Sequence, residues 1–261
     1  MNMSVTLERL QRRFLDALYR HTSPGEIVLK GGLALRAVYG QHRRTLDIDL
    51  DQDRRRSLSR LQKVIRKAIH SAIRASEFSA LEINEPKQTD TVARWKLSGK
   101  LADGSPLHMT IEVSRRNKVN KADLHTIHLR DIALPGHGTP GKIDTYAVSI
   151  LARHKVMALL DPKRHALRDI YDISLLLDNP DVNNPLQGIS CDELHGMQSE
   201  LWKKIESFSW PDFQDQVVTQ LDVREAENFN QNRFEQMQYS VAEGLSSWLE
   251  QAQQGAGEHS E

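Results

Sequence analysis

The chain has 261 residues, 39% of them hydrophobic, with a single cysteine and equal numbers of basic and acidic residues, 35 of each. That composition suits a globular protein with a sizeable core, and the lone Cys191 excludes an intramolecular disulfide and a cysteine zinc site. No apolar run approaches the ~18 residues of a membrane span, and Met1-Asn2-Met3-Ser4 opens no signal-peptide core, so a cytoplasmic protein with no membrane partner is expected.

Apolar residues at helical spacing (Leu7, Leu10, Phe14, Leu15, Leu18) predict a helix over Val5–Tyr19. Ile27–Leu29 reads as a short buried strand, Gly31-Gly32 as a turn and Leu33–Tyr39 as a short helix. Thr45–Leu50 is a second strand, and Leu58–Ile73 a basic amphipathic helix with Leu58, Leu61, Ile65 and Ile69 on one face. Strands follow at about 78–84, 91–99 and 107–113, the last two joined by the turn Ala102-Asp103-Gly104. Pro135-Gly136-His137-Gly138-Thr139-Pro140-Gly141 is a loop. Beyond it the pattern is helical at about 144–160, 166–177, 191–207 and 230–250, and the polar tail after Gln251 is expected to be disordered. This predicts an α+β protein: an α/β part over 1–135, an α-helical part over 136–250 and a tail over 251–261.

Asp47 and Asp49 alternate with Leu46, Ile48 and Leu50. On a strand the two carboxylates share one face, ~6.6 Å apart, while the leucines and isoleucine face the core. Such a pair is either the polar face of an ordinary strand or a site for a hard divalent cation such as Mg²⁺, which needs one or two protein carboxylates plus substrate phosphates. In Leu107–Val113, Glu112 stands on the polar side with His108 and Thr110, and a neighbouring strand could bring it beside the aspartates. Three carboxylates on one face repel without a cation. Gly31-Gly32, with Lys30 beside it, is either a plain tight turn or a place where backbone N–H groups approach a phosphate.

In the helical part, Lys155 lies between Leu151 and Leu159 on an apolar helix face, where its charge either snorkels outward or faces an anion in a cleft. Asp169 and Asp172 share a face of the next helix with Ile173 and Leu176, and a structural ion pair with Lys155 or Arg168 is one reading of both observations. His125 and His128 fall on opposite sides of an expected strand and make no metal pair.

The stretch Leu29-Lys30-Gly31-Gly32-Leu33-Ala34-Leu35, followed by Arg44-Thr45-Leu46-Asp47-Ile48-Asp49-Leu50, resembles the polymerase-β-like nucleotidyltransferases and, more narrowly, the AbiEii/AbiGii-type toxins of abortive-infection and toxin–antitoxin operons. Lys155 through Leu160, trailed by Arg168-Asp169-Ile170-Tyr171-Asp172, is similar to a second motif of those toxins, although His154 stands where the family often has glutamate. The resemblance covers roughly residues 26–178. It implies a mixed-sheet nucleotidyltransferase core followed by a helical domain that completes the cleft. It implies Mg²⁺ or Mn²⁺ on Asp47, Asp49 and Glu112, with catalysis by these three, Lys155 and Asp169. An NTP would be held by Lys30, Gly31, Gly32, Thr45, Lys155 and Arg168, with RNA, at a tRNA 3′ end, as acceptor and a cognate antitoxin as partner. A protein or small-molecule hydroxyl is the alternative acceptor, and a non-catalytic binding module with the same fold the alternative class.

Charge is unevenly spread. Residues 1–190 carry 31 Lys and Arg against 21 Asp and Glu, and residues 191–261 carry 4 against 14. Either both parts are solvated faces, or the basic part holds a polyanion, with Arg43, Arg44, Arg54, Arg55, Arg56, Arg115 and Arg116 as candidates for gripping RNA, while the acidic part binds a basic partner or folds against the basic part.

Overall fold

The computed structural model describes residues 3–74, 80–100, 104–136, 140–165 and 167–258. Ala102 and Asp103 of the expected turn, and His137 to Thr139 of the expected loop, lie outside them. The chain divides into two compact units, one of Met1–Gly40 with Arg44–Ala147, the other of Gln41–Arg43 with Val148–Glu261.

The first unit runs α1 (Met3–Tyr19), β1 (Val28–Lys30), α2 (Gly31–Tyr39), β2 (Asp47–Asp51), α3 (Leu58–Arg74), β3 (Ala80–Gln88), β4 (Val92–Lys100), β5 (Pro106–Ser114), β6 (Leu124–His128) and β7 (Lys142–Tyr146). The strands form one sheet in the order β3-β4-β5-β2-β1-β7-β6. Pairing is parallel between β2 and β5 and between β1 and β7, and antiparallel elsewhere, so the sheet is mixed. Strand alternation sorts its residues: Ile48, Leu50, Trp95, Leu97, Met109, Ile111 and Val113 are buried. The amphipathic helices α1 and α3 pack on each other. From α3, Gln62 and Arg66 reach Gln88 and Glu85 of β3. Burying this apolar layer is the main stabilising term.

Three local expectations are corrected. Leu46 does not face the core: it precedes β2 and is 44% exposed. Gly31-Gly32 is not a turn ahead of a helix but the first turn of α2 itself, with Lys30 in the N-cap position. Residues 144–146 are strand, not helix. The buried polar residues Asp144 and Thr145 break the apolar alternation that marks a strand, and find their partners only in the fold. The Asp144 carboxylate accepts from Gly25 N at 2.7 Å and Thr126 Oγ1 at 2.6 Å, and Thr145 Oγ1 donates to the Leu29 carbonyl at 2.9 Å.

The second unit contains α4 (Val148–Leu160), α5 (Leu167–Leu177), α6 (Cys191–Glu206), α7 (Trp210–Gln216), α8 (Val223–Glu227) and α9 (Gln231–Glu258). Its core includes Leu159, Ile170, Tyr171, Leu201, Phe213, Phe234 and Leu245. Phe213 is the centre of a ring cluster with Phe229 at 5.2 Å and Phe234 at 4.7 Å. The short α7 is set by a Ser209 cap on Asp212 N and a proline in its first turn. The tail expected to be disordered after Gln251 is helical to Glu258. Ala252 is buried there, and Gln253 donates to Gln198 of α6, so tertiary contacts offset the poor local signal.

Candidate active site

The register of four strands assembles the site. Asp49 of β2 pairs with Lys30 of β1 on one side and Glu112 of β5 on the other, and Glu112 in turn pairs with Arg94 of β4. One step along, Asp47 pairs with Thr110, and Thr110 with Lys96. Residues paired in register lie on the same face. Asp47, Asp49, Arg94, Lys96, Thr110 and Glu112 accordingly line one pocket of ≈ 260 Å³ in the first unit. Arg94 and Lys96 do not stand out in the sequence, whereas Thr110 shares the polar side of its strand with Glu112. The alternation of Arg94 and Lys96 with buried Ala93, Trp95 and Leu97 marks a polar face, but only the register shows that this face meets Glu112.

The three carboxylates line the pocket without forming a single ligand set. The Arg94 guanidinium donates to Glu112 Oε2 through Nε at 2.8 Å and also through its terminal nitrogen. Glu112 is thus held toward β4, and among the described residues no group of three or more His, Cys, Asp and Glu is arranged to hold an ion. Asp47 and Asp49 do suit a hard divalent ion. Both donors are carboxylate oxygens, and such an ion completes its shell with water and substrate phosphates.

Asp49 also meets the start of α2. Gly31 has φ +68°, and a Cβ built on it would lie 2.5 Å from Asp49 Oδ2. Only glycine fits there, because the left-handed backbone and the carboxylate both exclude a side chain. Lys30 makes no side-chain cap and the first turn of α2 has no acidic residue, so the N-terminal end of this helix favours an anion beside Asp49. Gly40 has φ +69° and nothing within 4 Å of its added Cβ. Gly31→Ala and Gly40→Ala therefore share the backbone cost, about 1–2 kcal/mol, and only the first displaces Asp49. Thermal melts should show both variants destabilised, with Gly31→Ala clearly the worse. Equal melting points would mean that Asp49 moves aside freely.

Neighbouring groups are tied down. Lys30 Nζ lies 2.5 Å from Asp51 Oδ1, and Tyr146 donates to Asp51 Oδ2 at 2.8 Å. Burial, then the Asp51 charge, raise the Tyr146 pKa and keep its hydroxyl protonated. Thr45 is buried, accepting from Asp47 N at 3.3 Å through its hydroxyl and from Gln11 at 2.7 Å through its carbonyl.

The second unit holds an ion network. Lys155 Nζ lies 2.7 Å from both Asp169 Oδ1 and Asp172 Oδ2. Arg43 donates to Asp172 through two nitrogens, at 2.9 and 2.7 Å, and Arg164 lies 3.4 Å from Asp169. Burial disfavours the Asp172 charge, but Lys155 and Arg43 outweigh it and lower its pKa to about 2. Burial likewise opposes the Lys155 charge, and Asp172 and Asp169 still raise its pKa above the ordinary lysine value. Arg168 is exposed on α5.

Two of the arginines considered for RNA are not available to it. Arg43 is buried on Asp172, and Arg115 is buried with bonds to Gln52, Asp90 and the Arg54 and Arg56 carbonyls. Arg55 is clamped to Asp53 at 2.7 Å, and Arg44 Nε lies 3.9 Å from Glu8. Arg54, Arg56 and Arg116 are exposed.

A family model described as "Nucleotidyl transferase AbiEii toxin, Type IV TA system" matches residues 13–246. Among solved structures, JHP933 from Helicobacter pylori is 18% identical, with a TM-score of 0.62 over 100% of this chain and 96% of that one. MenT4, a nucleotidyltransferase toxin from Mycobacterium tuberculosis, is 13% identical, with a TM-score of 0.52 over 93% and 92%. No curated protein sequence matches significantly. Among the described residues no helix is long and apolar enough to cross a membrane.

Proposed function

The chain belongs to the AbiEii family of nucleotidyl transferase toxins of type IV toxin–antitoxin systems, and from that premise we propose that it transfers a nucleoside monophosphate from an NTP to a hydroxyl of RNA in the cytoplasm. The tRNA 3′ end is the acceptor favoured by the family resemblance, and a cognate antitoxin is its regulatory partner. The observation that carries the reading is the contact of Asp49 with Gly31. It sets the carboxylate pair against the first turn of α2, so a cation on the one and phosphates on the other would be neighbours.

Asp47 and Asp49 are the residues to hold Mg²⁺ or Mn²⁺, which when bound offsets the charge of the polyphosphate. The backbone N–H groups at Gly31 and Gly32 hold the phosphates, and Lys30, fixed by Asp51, adds positive charge beside them. The acceptor hydroxyl oxygen forms the new bond to the α-phosphorus in line with the bond that breaks, pyrophosphate leaves, and the hydroxyl proton passes to Glu112. Arg94 keeps Glu112 turned toward β4, so Glu112 acts on the acceptor rather than as a third metal ligand. Lys155 already holds Asp169 and Asp172, and Asp169 also faces Arg164, so this pair serves the helical unit's stability rather than the triphosphate.

The test is incubation of the protein with each labelled NTP, Mg²⁺ and total cellular RNA. Label in RNA with release of pyrophosphate supports the proposal. Label in protein or a small molecule moves the acceptor to those classes, and absence of any transfer favours a binding module.

A further inference from the structure

The pocket's charge is divided by strand. Asp47, Asp49 and Glu112 come from β2 and β5, whereas Arg94 and Lys96 come from β4. The row through Asp49 continues to the sheet edge: Lys30, Asp49, Glu112, Arg94 and Lys87 are paired in register across β1, β2, β5, β4 and β3. The parallel row is Asp47, Thr110, Lys96 and Asn84. With strands ~4.8 Å apart, Lys87 stands ~10 Å beyond Glu112. Gln88 and Glu85 of β3 face α3, so Lys87 and Asn84 lie on the opposite, pocket-bearing face. Lys96 and Lys87 are exposed, and neither is paired with a carboxylate among the described residues.

In-line displacement puts the attacking and leaving oxygens on opposite sides of the phosphorus. The leaving pyrophosphate belongs to the α2 flank, next to β1. The acceptor therefore enters from the other flank, over β5, β4 and β3. Two unpaired cations lead outward there for ~10 Å. That is a longer track than a single phosphate needs, and it suits a strand that carries a charge on every nucleotide. We infer that the β4–β3 flank is the acceptor's binding surface, and that Lys96 and Lys87 hold the backbone of an RNA strand whose terminal hydroxyl reaches the carboxylates. This rests on the nucleotidyltransferase reading and adds to it the acceptor's path.

The experiment compares the full chain with its Lys87→Gln/Lys96→Gln and Arg54→Ala/Arg56→Ala/Arg116→Ala variants. Affinity for a labelled single-stranded RNA is measured against salt, and affinity for NTP with Mg²⁺ is measured separately. Both changes are at exposed positions, and thermal melts confirm folding. The lysine variant should bind RNA more weakly, with a log–log salt slope shallower by about 1.4, at ~0.7 per lost phosphate contact. Its NTP affinity should match the parent's. An unchanged slope in the lysine variant, with a shallower one in the arginine variant, would overturn the inference and place the strand at the ends of β2 and β5. Loss of NTP rather than RNA affinity would give the flank to the donor and also overturn it. A parent chain that binds NTP but no RNA at low salt would sink the RNA track and leave nucleotidyl transfer standing. Failure to bind NTP at all would remove the premise instead.

Discussion

Asp49→Asn stops nucleotide transfer while the protein stays folded. The substitution keeps the shape that packs on Gly31, removes the charge and turns one acceptor oxygen into a donor. It leaves Asp47 as the one β2 carboxylate lining the pocket, which halves the charge these two would offer a divalent ion. Removing a group that merely holds a metal ligand in place costs about 10–100-fold, so loss of a ligand should bring transfer below about one-hundredth of the parent. The melting point should be unchanged or higher, because one like charge has left a repulsive group. A second readout needs no acceptor. Mg²⁺ should raise the parent's melting point through binding to the native state, and raise the variant's less. Full transfer by Asp49→Asn, with an intact Mg²⁺ shift, would move the metal and the chemistry away from β2.

Asp172→Asn should have the largest effect on stability, confined to the helical unit. Asp172 is fully buried and serves both Arg43 and Lys155. Neutralising it leaves the buried Arg43 without its charge partner and Lys155 with Asp169 alone. Breaking a buried pair from one side costs ~3–5 kcal/mol, since the remaining charge is neither solvated nor matched. For a unit of this size that corresponds to a fall in melting temperature on the order of 10–20 °C. Calorimetry should assign the loss to one of two transitions if the units melt separately. The pH dependence has a definite sign. Asp172 titrates near 2 in the folded chain, below the ~3.9 of a free aspartate. Its contribution is thus fully present above about pH 4 and is lost as pH falls toward 2. The parent's advantage over Asp172→Asn should shrink across that window and stay constant above it. A variant that melts with the parent at neutral pH would mean the network contributes nothing net.

The two predictions divide the conspicuous acidic residues by work. Asp47 and Asp49 face a pocket with cations across from them, whereas Asp169 and Asp172 are consumed inside the helical unit. In the sequence the two groups look alike: each is a pair of aspartates bordering an apolar stripe. What separates them is the number of fixed cations within reach, a tertiary quantity.

The sequence by itself determined most of the elements and the identity of the family. Helical and strand periodicities place α1, α3, β2 and β5 within a residue or two, because each buries one face and local alternation records which. The glycine pair and Asp47–Asp49 are local in the same sense, and so is the lysine–aspartate motif. What only the tertiary structure decided is pairing. Nothing local tells that Arg94 opposes Glu112, that Arg43 reaches across 129 residues to Asp172, or that Asp49 closes on Gly31. The same holds for β7, whose buried Asp144 and Thr145 look helical or loop-like until Gly25, Thr126 and Leu29 supply their hydrogen bonds. Periodicity reports which residues leave water. Which charge then meets which is set by strand register and long-range packing, whose energies depend on atoms that no local window of sequence contains.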